Sequence, residues 1–382
     1  MKIVICGLSI TSSWGNGHAT TYRGLVRELV RRNHEVLFLE REQPWYAANR
    51  DLRASAFSRV QIYHSLAELK RNFGGEIRQA DAVILGSFVP QGIAIGEWIT
   101  SRASGVTAFY DIDTPVTLSR LATADCAYIT AALIRRYHLY LSFTGGPTLC
   151  QLERQYGSRM ARPLYCSVDP ALYFQEPKKK KWLLGYLGTF SEDREQALAE
   201  LLTVPAMMSP AKRFVVAGSM YPRGAKWPAN VQRIPHLNPA QHREFYNSQS
   251  FTLNITRRAM IQAGFSPSVR LFEAAACGTP IISDAWAGLD TFFTANREIL
   301  IADGTRAMLR LLHDLPDAEA RAIGERGRER VLANHTAAHR AAELEHFIAE
   351  AAAVKSLDAT APKMSEPAAS LRPVALGNAL CS

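Results

Sequence analysis

At 382 residues the chain exceeds one ordinary core, and domains of roughly 100–200 residues make two the expected number. Its 47% hydrophobic and 21% charged residues match globular averages and exclude a chain disordered through most of its length. A net charge of +9, from 44 Lys and Arg against 35 Asp and Glu, suits phosphate-bearing substrates or anionic surfaces without choosing between them.

Residues 2–7 read as a short apolar strand and residues 8–18 as a glycine-containing loop. A helix follows from about Ala19, with Tyr22, Leu25, Val26, Leu29 and Val30 at helical spacing on one face. Residues 35–39 supply a second strand, completing the opening of a βαβ unit. Apolar runs at 82–85, 106–110 and 139–143 suit further parallel strands, each ending in a polar or glycine-containing loop. Ligands of open α/β sheets sit beyond the carboxyl ends of the strands, so Gly86-Ser87, residues 111–114 and residues 144–146 border one expected crevice.

Asp169-Pro170, Pro177 and the run Lys178 to Lys181 read as a connection between domains. A second α/β series starts at 182–186, followed by Gly188-Thr189-Phe190-Ser191, and continues through strands at 214–217, 251–255 and 280–283. From Thr305 three helical stretches are expected, the last over about 336–354, and the aperiodic Pro, Ser, Ala and Gly beyond predict a mobile tail. The expected organisation is two Rossmann-like doubly wound domains at 1–170 and 171–335, a helix at 336–355 with a path open back to the first domain, and a tail at 356–382.

Six scattered cysteines with no CxxC pair, and no secretory segment ahead of them, read as reduced thiols of a cytoplasmic protein. No apolar stretch approaches the roughly 20 residues that cross a bilayer, which leaves room only for peripheral membrane contact. Nucleic acid gains no support, because no reader motif or aromatic-basic interleaving is present.

The strongest local signal spans residues 264–280. Ser266 suits a helix cap with Pro267 in the first turn, and Gly278 suits the helix end. Such a start, with Ser268 and Val269 beside it, offers backbone N–H groups to a diphosphate, to which Arg270 adds a charge-assisted bond. Glu273, three residues further on, shares the face of Arg270 and can accept the two hydroxyl hydrogens of a ribose. The structural alternative pairs Arg270 with Glu273 inside a buried helix.

This segment resembles the nucleotide-binding signature of GT-B glycosyltransferases of group 1, and is most similar to the SPSxRxFExxACG segment of the CgeB-like family. The resemblance implies a GT-B fold with two Rossmann-like domains facing across a cleft. It also implies a nucleoside-diphosphate sugar, by default a UDP-sugar, as co-substrate, with no further cofactor. The second domain would hold the donor and the first a hydroxyl acceptor, whether glycan, lipid-linked, protein or small molecule. Leaving-group charge would be met without a metal. Many group 1 retaining enzymes carry another glutamate eight residues before the ribose ligand; this chain has Phe265 there, so the stereochemical outcome is not carried over.

Candidate catalytic groups lie in the first domain. His18 stands at the start of the first helix, where the imidazolium form is disfavoured, and suits a general base on the acceptor hydroxyl. Gly7, Gly15 and Gly17 lack the GxGxxG spacing, so Glu40 at the end of the second strand gains little support as a ribose ligand. Asp111 and Asp113 suit an acceptor-side base or acceptor hydroxyls better than a metal-bound diphosphate, with a plain loop cap as the alternative. Gly188 and Thr189 are expected to line the donor pocket and Arg257 to face the diphosphate. A nucleotide-sugar epimerase and a non-catalytic assembly protein of the same fold remain open beside the glycosyltransferase.

Overall fold

The computed structural model describes residues 1–14, 17–52 and 58–360. The first sheet comprises β1 (Lys2–Gly7), β2 (Glu35–Arg41), β3 (Arg59–Tyr63), β4 (Ala82–Gly86), β5 (Val106–Asp111), β6 (Leu139–Ser142) and β7 (Ala161–Pro163). All pairs are parallel, in the order β3-β2-β1-β4-β5-β6-β7. The second comprises β8 (Trp182–Leu187), β9 (Phe214–Ala217), β10 (Val231–Ile234), β11 (Gln249–Asn254), β12 (Ile281–Ser283) and β13 (Leu300–Ile301). It too is parallel throughout, in the order β10-β9-β8-β11-β12-β13.

Burial on both faces explains why the inner strands read as unbroken apolar runs. Ile3 and Ile5 of β1 pack against Tyr22, Leu25 and Leu29 of the helix His18–Arg31. Val4 and Cys6 point the opposite way, toward Leu69, Phe73 and Ile77 of the helix Leu66–Gln79. In each sheet the winding reverses once, between β1 and β4 and between β8 and β11, and a crevice opens beyond the strand ends at such a reversal.

Three helices close the chain: Thr305–His313, Asp317–Asn334 and Ala337–Thr360. The last returns to the first domain. Leu344 and Ile348 join the core on the β1 side, Glu345 pairs with Arg32, and Glu350 pairs with Arg162. Lys355 Nζ donates to the Ser104 and Gly105 carbonyls at 2.6 Å. The helix persists to Thr360, past the expected start of the tail at 356, because 356–360 contains no Pro or Gly to stop it. The rest of the expected tail, 361–382, lies outside the described residues. The five described cysteines are all free thiols, and no described helix is long and apolar enough to cross a membrane.

Leu344 is fully buried where the last helix meets the first domain. Leu344→Ala should therefore lower the unfolding free energy by roughly 2–5 kcal/mol, seen as an earlier urea midpoint. An unchanged midpoint would mean that the helix is not docked there.

Candidate functional site

The crevice between β8 and β11 is organised by the helix Val269–Ala276. Its first turn begins at Val269, with Ser268 in the capping position, two residues later than a cap at Ser266 requires. The segment before it is drawn to the first domain instead. The Ser266 hydroxyl meets Thr144 Oγ1 at 2.9 Å, Gly145 N–H donates to the Phe265 carbonyl at 3.0 Å, and Cys166 Sγ donates to the Pro267 carbonyl at 3.3 Å.

Ser268 makes no side-chain cap to the helix; its hydroxyl is turned toward Asn254 Oδ1, to which it donates at 2.8 Å. Arg270 donates from Nη1 to the same oxygen at 2.7 Å and from Nε to the Leu187 carbonyl at 2.5 Å, with its guanidinium 4.9 Å from the Tyr186 ring centroid. Glu273 is 2% exposed and accepts from the Tyr246 hydroxyl at 3.0 Å, with His242 Nδ1 at 3.7 Å. Among the described residues no ion pair joins Arg270 to Glu273. Each faces a different set of partners along the wall of one cavity.

That cavity, of about 260 Å³, is lined in the second domain by Leu187, Gly188, Thr189, Arg194, Gly218, Ser219, His236, Leu237, Pro239, His242 and Tyr246 together with Ser268, Val269, Arg270 and Glu273. Ser13, Gly17 and Thr20 close it from the first domain. Gly218 is obligatory here: its φ is +146°, and a Cβ would stand 1.9 Å from the Gly188 carbonyl oxygen. A second cavity of about 200 Å³ shares Gly17, Arg194, Ser268, Val269 and Arg270 with the first. It adds His18, Thr21, Ile112, Asp113 and Phe143 on one side and Ile255, Thr256, Arg257, Met260 and Ser266 on the other. The two form a continuous interdomain site around the helix start.

His18 stays partly exposed in this site, yet the protein packed around its ring pushes the imidazole from 6.5 down to about 4. Its ring centroid lies 5.8 Å from that of Phe88. Gly15 and Asn16 of the same loop lie outside the described residues.

The two aspartates separate. Asp111 is fully buried and belongs to the lining of neither cavity. It accepts from Tyr140 Oη at 2.6 Å, Thr117 Oγ1 at 2.9 Å and the Asp113 amide at 3.2 Å, so it ties down the start of the helix Thr114–Ala122. Burial raises its carboxyl to about 6 against the pull of these bonds. Asp113 does line the second cavity, where it pairs across the cleft with Arg257 at 3.1 Å, and burial raises its carboxyl as well. Arg257 is thus engaged by a carboxylate in this structure. Among the described residues no three His, Cys, Asp or Glu side chains are placed to hold a metal ion.

Sequence reasoning missed Arg194, which lines both cavities and donates to the Thr189 carbonyl. It also missed His236, Leu237, His242 and Tyr246. Only the last two carried a usable signal, being four apart on the helix Pro239–Asn247 and so able to face one carboxylate together.

Two parallel-sheet α/β domains whose strand ends face a shared cleft constitute the GT-B fold. Residues 194–346 match the family model described as glycosyl transferase-like. Among solved structures, the chain is similar to a sucrose-phosphate synthase from Thermosynechococcus elongatus, with 14% identity, a TM-score of 0.64 and coverage of 94% of this chain and 100% of that one. An alpha-glucosyltransferase in complex with UDP gives 12% identity and a TM-score of 0.70, covering 91% of this chain and 100% of that one. Anabaena HepE in complex with UDP and glucose gives 11% and 0.69, covering 92% and 100%. No curated protein matches in sequence.

The two arginines differ in what their loss leaves behind. Arg270→Met takes the guanidinium from the Leu187 carbonyl and leaves the Asn254 carboxamide oxygen with Ser268 alone, and should destabilise by roughly 2 kcal/mol. Arg257→Met breaks a partly exposed pair and should cost less than about 1 kcal/mol. Equal costs in urea unfolding would contradict the tie assigned to Arg270.

Proposed function

We propose that the protein is a glycosyltransferase that moves a sugar, by our reading a hexose, from a nucleoside diphosphate to a hydroxyl acceptor. The observation carrying this is the uncapped helix start at Ser268 to Arg270, with Glu273 one turn on, opening into a cavity between the two domains. A diphosphate placed there meets backbone N–H groups and the positive end of the helix, with Arg270 and Arg194 alongside. Glu273 then reaches the ribose hydroxyls, and the nucleobase lies toward His236 and Leu237. UDP is the expected nucleotide, in keeping with the ligands named for the alpha-glucosyltransferase and HepE structures. The segment from Ser266 to Glu273, inside the matched residues, supports a place near the CgeB-like group.

The donor sugar and acceptor hydroxyl meet in the second cavity, beside His18 and Asp113. His18 takes the acceptor proton. Amides and arginines take the charge that develops on the departing diphosphate, so the reaction is assigned no metal. Asp111 holds the acceptor-side loop and does not touch the reacting groups.

A thermal-shift series with UDP, GDP, dTDP and their sugars tests the donor site. A nucleotide at about 100 times its Kd should stabilise the protein by about 2.7 kcal/mol. Glu273→Ala and Arg270→Ala should abolish that shift; stabilisation by no nucleotide, or equal stabilisation of both variants, would overturn the reading.

The acceptor side is tested by pH. A base is lost as it gains a proton, and His18 stays neutral until the pH falls to about 4, so kcat/KM for transfer should hold through pH 6 and decline only toward that value. His18→Ala should keep the UDP shift and lose transfer. An acid limb near the unperturbed histidine value of about 6.5 would mean that the cleft does not hold the base in its neutral form.

A further inference from the structure

The first loop of the amino-terminal domain brings Ser13, Gly17 and His18 to the cleft, and it is held by a carboxylate that the proposed chemistry does not use. Glu40 of β2 is 1% exposed. Its Oε1 accepts from the hydroxyls of Ser9 at 2.9 Å and Thr11 at 2.7 Å, and its Oε2 from the amides of Ile10 at 2.7 Å and Thr11 at 3.0 Å. A carboxylate has about four acceptor sites, and one three-residue stretch fills them. Convergent amides and hydroxyls of this kind make a seat for an anion, and here the anion is a side chain of the neighbouring strand.

The far end of the loop is pinned independently. Asp51 accepts from the Ser13 amide at 3.2 Å and from the Ser13 hydroxyl. Arg23 pairs with Asp51 at 2.5 Å and donates from Nε to the Ile10 carbonyl at 2.8 Å. Residues 9–13 are therefore fixed at both ends, and Arg23 ties them to the helix that His18 begins.

We infer that Glu40 is a positioning residue for sugar transfer, an internal anion that fixes residues 9–11 and, through the bond of Arg23 to the Ile10 carbonyl, the helix that begins with His18 at the cleft. A residue serving only to fill the core would not need a charge, since burying one is costly and an apolar side chain of similar volume packs at least as well. Among the described residues, the hydrogen bonds that the Glu40 carboxylate accepts come from Ser9, Ile10 and Thr11 of the loop. The catalytic consequence rests on the glycosyltransferase reading; the hold on the loop does not.

Glu40→Gln tests it, because the carboxamide keeps the shape, can still accept from the two amides and can donate to the two hydroxyls, while losing the charge. Hydrogen exchange of the Ile10 and Thr11 amides should quicken by about tenfold as charge-assisted bonds become neutral ones. kcat for transfer should fall by a similar factor, with donor KM and the UDP-induced thermal shift little changed. Asp51→Asn, at the partly exposed end, is the second variant should Glu40→Gln fail to fold, and should lower kcat in the same way. Unchanged exchange at Ile10 and Thr11 overturns the proposal, and so does faster exchange with an unchanged kcat. Wild-type protein that neither responds to UDP nor transfers sugar fails the functional reading instead, and is distinguished by that result from a failure of Glu40.

Discussion

Arg270 is the tie on which the second domain's site depends. Its guanidinium reaches the carbonyl that ends β8 and the carboxamide that ends β11, the two strands between which the sheet reverses its winding. A helix bonded to both strand ends has its first turn fixed over the crevice. The same carboxamide oxygen draws off the Ser268 hydroxyl, which would otherwise cap the helix. One polar cluster thus aims the helix start and keeps its amides uncapped. A Lys could not do both, because its single nitrogen lacks the planar fork that spans two acceptors in fixed directions.

The two domains treat the same location in opposite ways. In each, a loop or helix start gathers amides beyond the carboxyl ends of the strands at a reversal point. In the first domain those donors are saturated by Glu40 from within the fold. In the second they are left uncapped beside Arg270 and Glu273. An anion supplied internally makes a rigid floor, whereas an anion left to be supplied makes a binding site. The helix start at His18 is uncapped as well, so what favours the second domain in the proposed reading is the company of Arg270, Arg194 and Glu273 around its helix start.

The inner strands were legible because burial on both faces leaves no room for polar residues, so β1, β4, β5, β8, β9 and β11 each stand out as an apolar run. The strands that escaped notice are β3, β7, β10 and β13, the four edges of the two sheets. Arg59, Gln61, Arg162, Gln232 and Arg233 show why for the first three, since an edge faces solvent and carries polar side chains, whereas β13 is only two residues long. The site followed the same division. Glu273 and Arg270 sit in a motif with local spacing, and Asp113 at a strand end. Arg194 comes from a short 3-10 turn and His236 and Leu237 from a loop, and only the packing of the sheet brings them to the cavity. The helix start was displaced for a tertiary reason, since the partner that takes Ser266 is Thr144 of the other domain.

The cleft itself sets the balance of the proposed reaction. An imidazole that burial holds near 4 is neutral over the working range and for that reason a weak proton acceptor. Asp113 is no stronger a candidate while it is paired with Arg257. In the proposed reaction, proton transfer to His18 is therefore paired with stabilisation on the other side of the bond, where the sugar parts from the diphosphate. The helix start and the arginines around it are directed at that charge, in a cleft walled by Ile112, Phe143, Ile255 and Met260, where a preorganised dipole acts with little solvent screening. Such a reaction needs the donor seated rigidly and the base held in place beside the acceptor. That matches a second domain built around the tie of Arg270 and a first domain whose task is to hold one loop still.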